Sequence, residues 1–184
     1  MNYIKILEKF ISQTRIDHSI RVQQVAIQLA KHYEADVDLI SRAAILHDIA
    51  KEQTPESLTT HNIDASHYDD IWKRYPATWH AFVGPLLIAS ECEVPMDTIN
   101  DLVAHHTTGK ANMSLETAII FVADFIEPGR KAVIHKQIFP LAFQNLELAI
   151  AKIAENTLQK LKLKKLAIHP LSIECYNYYT NEKV

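Results

Sequence analysis

Residues 40–51 read ISRAAILHDIAK, an apolar stretch broken near its end by two adjacent ligand-type side chains, His47 and Asp48. Ile40, Ala43, Ala44 and His47 keep helical spacing, so the His47 imidazole turns toward whatever the apolar face packs on. An imidazole beside a carboxylate suits borderline metals such as iron or manganese. Two residues alone are weak evidence, and their meaning depends on partners elsewhere in the chain.

The spacing predicts a helix over about 38–52, ending before Thr54-Pro55 because the residue ahead of a proline avoids helical geometry. On its N-terminal side, His18, Val22, Val25 and Leu29 form one stripe, widened by Ala26, Ala30 and Tyr33, which predicts a helix over about 17–34. The segment 54–77 is polar and aromatic, with His61, His67, Trp72 and Tyr75, and is expected to hold short helices and loops. Thr78 is read as the cap of a helix carrying His80, Val83 and Leu87, and Pro95 as preceding another over roughly 96–106. LETAIIFVADFIE, residues 115–127, is apolar nearly all round and should form a central, buried helix. Past Pro128-Gly129, the run 137–161 predicts one long helix, and His169-Pro170 opens a short terminal one. Alternating strand patterns and internal repeats are absent. The expected class is all-α, a helical bundle in a single domain over 1–184.

Of the 184 residues, 48% are hydrophobic and 22% charged, ordinary values for a chain that folds around one core. The three glycines form neither a GxGxxG nor a Walker A pattern, so a Gly-rich phosphate cradle is excluded. A formal charge of −3 gives no global attraction to nucleic acid or anionic membranes, and neither is expected as a partner. The run KLKLKK, Lys160 to Lys165, is read as cations at a helix C-terminus, favoured by the macrodipole. Cys92 and Cys175 are far apart, MNYIKILEKF lacks a signal-peptide core, and no stretch reaches 18 uncharged apolar residues. These features predict a cytoplasmic protein with reduced thiols.

Asp124 is the only charged side chain between Thr117 and Ile126. A carboxylate inside so apolar a helix needs an ion pair, a cap or a bound cation. His18 and His47, taken singly, each read as a hydrogen-bonded core histidine. Jointly with Asp48 and Asp124 they form one N/O set of the kind that holds iron, manganese or magnesium rather than structural zinc. Ile99, Leu102, Val103 and His106 share a face, which turns His106 inward and His105 away. Periodicity does not place His80; if it joins His106 at the site, a second metal follows. Thr107 and Gly109 lie either against a phosphate or at an ordinary helix end. Lys51, one turn past His47, reaches the same opening or is solvated, and Arg130 either clamps phosphate or is a surface charge. Histidines 32, 61, 67 and 135 are read as surface residues, and Trp72, Trp79 and Tyr75 as packing residues rather than base-stacking ones.

In order and spacing, His18, His47-Asp48 and Asp124 resemble the H…HD…D signature of HD-domain metal-dependent phosphohydrolases. HDIAK (47–51), His80, HTTGKANM (106–113), FVADFIEPGR (121–130) and IHP (168–170) are similar, over nearly the whole chain, to the YqeK-type symmetrical bis(5'-nucleosyl)-tetraphosphatases of bacteria. The resemblance implies an HD-domain helical bundle, with a metal-binding core over about 17–127 and C-terminal helices over about 131–180. It implies that His18, His47, Asp48, His80, His106 and Asp124 bind two metal ions, divalent or mixed-valence, with Asp48 bridging. Iron comes first, with manganese, magnesium or cobalt as alternatives. Asp48, Lys51 and Arg130 would serve catalysis. Lys51, His80, His106, Thr107, Gly109, Arg130, His169 and Pro170 would contact substrate.

The implied activity is cleavage of diadenosine tetraphosphate into two ADP, through a bridging water whose pKa two close metals lower. The ligand would be a dinucleoside polyphosphate or an ADP- or GDP-like nucleotide, and a homodimer is compatible with the resemblance. Neighbouring readings are an HD hydrolase acting on mononucleotides or a guanosine alarmone, and a non-catalytic nucleotide or metal sensor. The intact set of six ligands favours hydrolysis over sensing.

Overall fold

A computed structural model describes residues 1–181; residues 182–184 of the expected domain lie outside the described part. All regular structure among the described residues is helical. The helices are α1 (Tyr3–Leu7), α2 (Gln13–His32), α3 (Val37–Leu46), α4 (Pro55–Thr60), α5 (Asp69–Arg74), α6 (Pro76–Cys92), α7 (Met96–Ala104), α8 (Leu115–Ile126), α9 (Val133–Gln144), α10 (Leu146–Leu163) and α11 (Pro170–Thr180). A 3-10 turn, Ser66–Tyr68, precedes α5. One buried cluster extends from Leu7 to Cys175. Within it α2 packs on α3 and α8, α6 packs on α7, and α10 packs on α8, α9 and α11.

The stripe carrying His18 forms as expected, but α2 begins at Gln13. Its first turn, QTRI, has one apolar residue, too few to register as a stripe. Ser12 precedes it, and both its amide and its hydroxyl donate to Glu52, at 2.7 and 2.8 Å. That contact ties the start of α2 to the segment just past His47-Asp48.

The helix expected over 38–52 ends at Leu46. Beyond it the backbone tightens into i→i−3 bonds, Ile49 N to the Leu46 carbonyl at 3.0 Å and Lys51 N to the Asp48 carbonyl at 2.9 Å. Helical periodicity cannot distinguish such a coil from a continuing α-helix, because both keep the apolar residues buried. The consequence is chemical: His47 and Asp48 are neighbours in sequence, yet both are buried at the same site.

Further boundaries moved. Thr78 is not the cap of α6, which starts at Pro76, where a missing N–H costs nothing. The expected long helix 137–161 is two, parted at Asn145, whose extended backbone (φ −157°, ψ 100°) lets its side chain accept from Leu148 N at 2.9 Å and cap α10. An asparagine inside a periodic run is easily overlooked as a cap. Pro95 does precede α7, and the 115–127 segment is α8, buried on most faces. His135 departs from its surface reading: it is half-buried, its Nδ1 directed at the Phe125 carbonyl and its ring 4.4 Å from that of Phe125. Trp79 is buried against Trp72, as expected of a packing pair. No helix among the described residues is long and apolar enough to cross a membrane.

Candidate metal centre

Four histidines and two aspartates meet where α2, the turn after α3, α6, the turn after α7, and α8 converge. The two oxygens of Asp48 divide them. Oδ2 faces His18 Nε2 and His47 Nε2, each at 3.7 Å. Oδ1 faces His80 Nε2 at 3.1 Å and His106 Nε2 at 3.4 Å. Asp124 joins the first pair, its Oδ1 lying 3.0 Å from His18 Nε2 and 3.9 Å from His47 Nε2. Among the described residues, His18, His47 and Asp124 form one triad with ligand atoms within 4.8 Å of one another, and His47, Asp48 and His106 form another.

The Nδ1 atoms explain why each ring presents Nε2. His47 Nδ1 lies 2.7 Å from the Ala44 carbonyl and His106 Nδ1 2.6 Å from the Val103 carbonyl. A carbonyl only accepts, so both rings carry their proton on Nδ1 and present an Nε2 lone pair. His18 Nδ1 lies 3.1 Å from Glu127 Oε1, and a carboxylate imposes the same tautomer. Nε2 of His18 and of His47 are buried without a well-formed hydrogen bond. Such atoms, aimed at two carboxylates, fit a cation.

The charge balance points the same way. Burial drives His47 and His80 down to about 4, against the pull of Asp48, so both are neutral and able to ligate at neutral pH. Burial alone would raise Asp48, but His47, His106, His80 and Lys51 together hold it well below the carboxylate range. For His18 burial favours the neutral ring, yet Asp124 and then Asp48 outweigh it and its pKa rises.

Asp124 is less enclosed than the sequence implied, with 20% of its side chain exposed, and the Arg130 guanidinium lies 2.7 Å from its Oδ1. Arg130 Nε also donates to the Asp124 carbonyl at 3.2 Å. Arg130 therefore holds Asp124 in place in this structure, a third role beside the phosphate clamp and the surface charge. Lys51 is half-buried, its Nζ 3.0 Å from His80 Nε2 and 3.9 Å from Asp48 Oδ1. Thr107 Oγ1 sits 3.0 Å from His106 Nε2 and 3.3 Å from His80 Nε2. Gly109 is buried one turn on, where a Cβ would lie 2.5 Å from Cys175 Sγ, so packing accounts for its lack of a side chain. His105 turns away to Asp101.

His169 caps α11 and stacks on Phe82 at 5.2 Å and edges Tyr75 at 4.8 Å. With Thr107, Tyr75, Ala77, Leu161 and Ala167 it lines a mostly apolar cavity of about 210 Å³. Pro170 is exposed at the first turn of α11 and does not line that cavity.

Sequence reasoning missed Glu127, Arg21 and Arg15. Glu127 is 2% exposed, more buried than Asp124 one turn earlier. Its Oε2 accepts from Arg21 Nε and from Gly129 N, both at 2.6 Å, while Oε1 meets His18. Burial would raise it, but Arg21, the Gly129 amide and His18 keep its carboxyl ionised. A Cβ on residue 129 would lie 2.6 Å from Arg21 Nε, so only glycine lets the guanidinium reach. The signal in FIEPGR was a carboxylate at i+3 from Asp124 followed directly by Pro-Gly. Arg15 Nη1, 3.4 Å from Asp48 Oδ2, had no sequence signal beyond being one turn from His18.

This arrangement defines the class. Residues 15–129 match the HD domain family, and the chain belongs to that family. Within it, the chain is 31% identical to the symmetrical bis(5'-nucleosyl)-tetraphosphatase of Bacillus subtilis (strain 168), over 91% of this chain and 90% of that relative. It is 32% identical to the enzyme of the same name from Halalkalibacterium halodurans, over 95% and 93%. A solved structure from Clostridium acetobutylicum, described as a predicted HD superfamily hydrolase involved in NAD metabolism, matches with a TM-score of 0.86 at 27% identity, covering 100% of this chain and 99% of that one.

Proposed function

We propose that this enzyme hydrolyses diadenosine tetraphosphate symmetrically to two ADP, using two metal ions held by His18, His47, Asp48, His80, His106 and Asp124. The observation that carries the reading is the division of four Nε2 atoms between the two oxygens of Asp48, two to each oxygen. One carboxylate between two imidazole pairs suits a pair of ions better than one ion, and the curated relatives bear the name of this activity. Bound metal would supply Lewis-acid charge to the phosphoryl oxygens and a water acidic enough to attack phosphorus near neutral pH, iron being the first candidate by resemblance.

The chain's own residues do the rest. Asp48 and Asp124 bring negative charge that matches the ions and leave the phosphates to cationic groups. Lys51 Nζ, beside His80, is placed to donate to a phosphoryl oxygen as charge develops on the leaving ADP. Thr107 Oγ1, between His80 and His106, is placed to donate to the same phosphate chain. The cavity at His169 and Tyr75 begins at Thr107 and offers an apolar seat to one nucleoside. In the balanced reaction a water oxygen bonds to one of the two central phosphorus atoms and the bridging P–O bond breaks. The second ADP leaves with the bridging oxygen.

The test is product analysis. Metal-loaded protein incubated with diadenosine tetraphosphate should yield ADP alone by ion-exchange chromatography. AMP plus ATP, or no turnover with iron, manganese, cobalt or magnesium, would overturn the reading. His47→Ala should lose bound metal by elemental analysis, and full retention would refute the assigned ligands.

A further inference from the structure

A second cavity, of about 300 Å³, opens between the end of α8 and α9, lined by Ile126, Pro128, Arg130, His135, Lys136 and Phe139. Nothing described so far uses it. Its wall meets the metal centre twice: Arg130 is bonded to Asp124, and Glu127, also lining it, is bonded to His18. The cavity at His169 meets the centre through Thr107, at His80 and His106. His18 belongs to the pair on Asp48 Oδ2, and His80 and His106 are the pair on Oδ1. The two cavities therefore adjoin the centre on different sides of Asp48, one at His18 and Asp124, the other at His80 and His106.

We infer that the cavity between α8 and α9 holds the second nucleoside of a two-ended substrate, so that the dinucleotide lies across Asp48 with one nucleoside in each cavity. This rests on the dinucleotide reading above and deepens it. Three features match a nucleotide end. The lining is mostly apolar and includes Phe139, an aromatic side chain of the kind on which a base stacks. Exposed Lys136 stands on the same wall as Arg130, whose guanidinium is held by Asp124, which leaves Lys136 as the cation open to a phosphate oxygen. Glu127 is spent on His18, Arg21 and Gly129, so its charge is already compensated where a phosphate would pass. An enzyme that cuts a symmetrical molecule at its centre needs equivalent reach on both sides of the metals, and a single nucleoside seat leaves the far half unheld.

The test uses metal-loaded full-length protein, ADP and diadenosine tetraphosphate. Calorimetric titration with ADP should give two sites per chain in the wild type and one in Lys136→Glu and in Phe139→Ala. KM for diadenosine tetraphosphate should rise about tenfold in each variant. Lys136 is exposed, so its substitution leaves the core intact and carries the test if Phe139→Ala unfolds. One ADP site in the wild type, or variants that keep both sites and an unchanged KM, would overturn the inference. Two ADP formed from the substrate together with one ADP site would sink this inference and spare the hydrolase reading. Two ADP sites without turnover would do the reverse.

Discussion

Glu127→Gln should weaken metal binding without touching a ligand. Glu127 Oε2 accepts from two donors, Arg21 Nε and Gly129 N, both at 2.6 Å, and Oε1 meets His18 Nδ1 at 3.1 Å. A glutamine keeps the shape but has one oxygen. Its oxygen must stay with the two donors, because an NH₂ group there would face two N–H groups. The amide nitrogen then faces His18 and donates to Nδ1, which moves the imidazole proton to Nε2, the atom the metal needs. A hydrogen bond to a charged partner contributes about 1.5–3 kcal/mol, and loss of a carboxylate that orients a metal-bound histidine lowers affinity about 10–100-fold, so the two estimates agree. Competition with a chelator of known affinity should show a Kd for manganese weaker by about that factor. On metal-free protein, ¹⁵N spectra of the histidines should show His18 changing from the Nδ1–H to the Nε2–H form while His47 and His106 stay as they are. Wild-type affinity together with an unchanged His18 tautomer would refute the reasoning.

Gly109→Ala combines a left-handed backbone (φ +63°) with a Cβ 2.5 Å from Cys175 Sγ and 3.2 Å from Phe121. The backbone cost is about 1–2 kcal/mol and overpacking about 1–3 kcal/mol, so urea unfolding should show a loss of about 2–5 kcal/mol. Adding Cys175→Ala should recover part of it, and a loss below about 1 kcal/mol would contradict the packing. Burial pushes the Cys92 thiol up to about 11 and the Cys175 thiol to about 12, so the reactive thiolates form only as pH rises toward those values. Neither should react with a thiol reagent at pH 8 in the native state, and both should react in urea; rapid native labelling of either would refute the burial.

That these six side chains would gather at one place was legible because each except His80 carries a sequence signal. His18 and His106 lie on apolar stripes, His47 closes one, Asp48 adjoins it, and Asp124 interrupts an apolar helix. His80 lies in the first turns of α6, where nearly every residue around Trp79 is apolar and no stripe singles it out. Tertiary packing, with α6 on α7 and α7 on α3, accompanies its approach to Asp48. Asp124 shows the limit of reading burial from neighbours. Its helix is buried, yet that carboxylate keeps 20% exposure where its Oδ1 is shared between His18 and Arg130, and the more enclosed charge on this stretch is Glu127, which the apolar run stops just short of.

The sequence by itself determined an all-helical chain, the order of its main helices and the residue types that gather as ligands, since these follow from local periodicity and side-chain chemistry. The tertiary structure decided the rest. The backbone tightens after Leu46, where adjacent His47 and Asp48 are buried at one site. Helices distant in the chain must pack before two histidine pairs can stand on opposite oxygens of Asp48. The brace of Glu127 and Arg21 behind His18, and the cavities on either side, arise from residues whose separation in sequence bears no relation to their distance in space. Periodicity reports which face of a helix is buried; only packing reports against what.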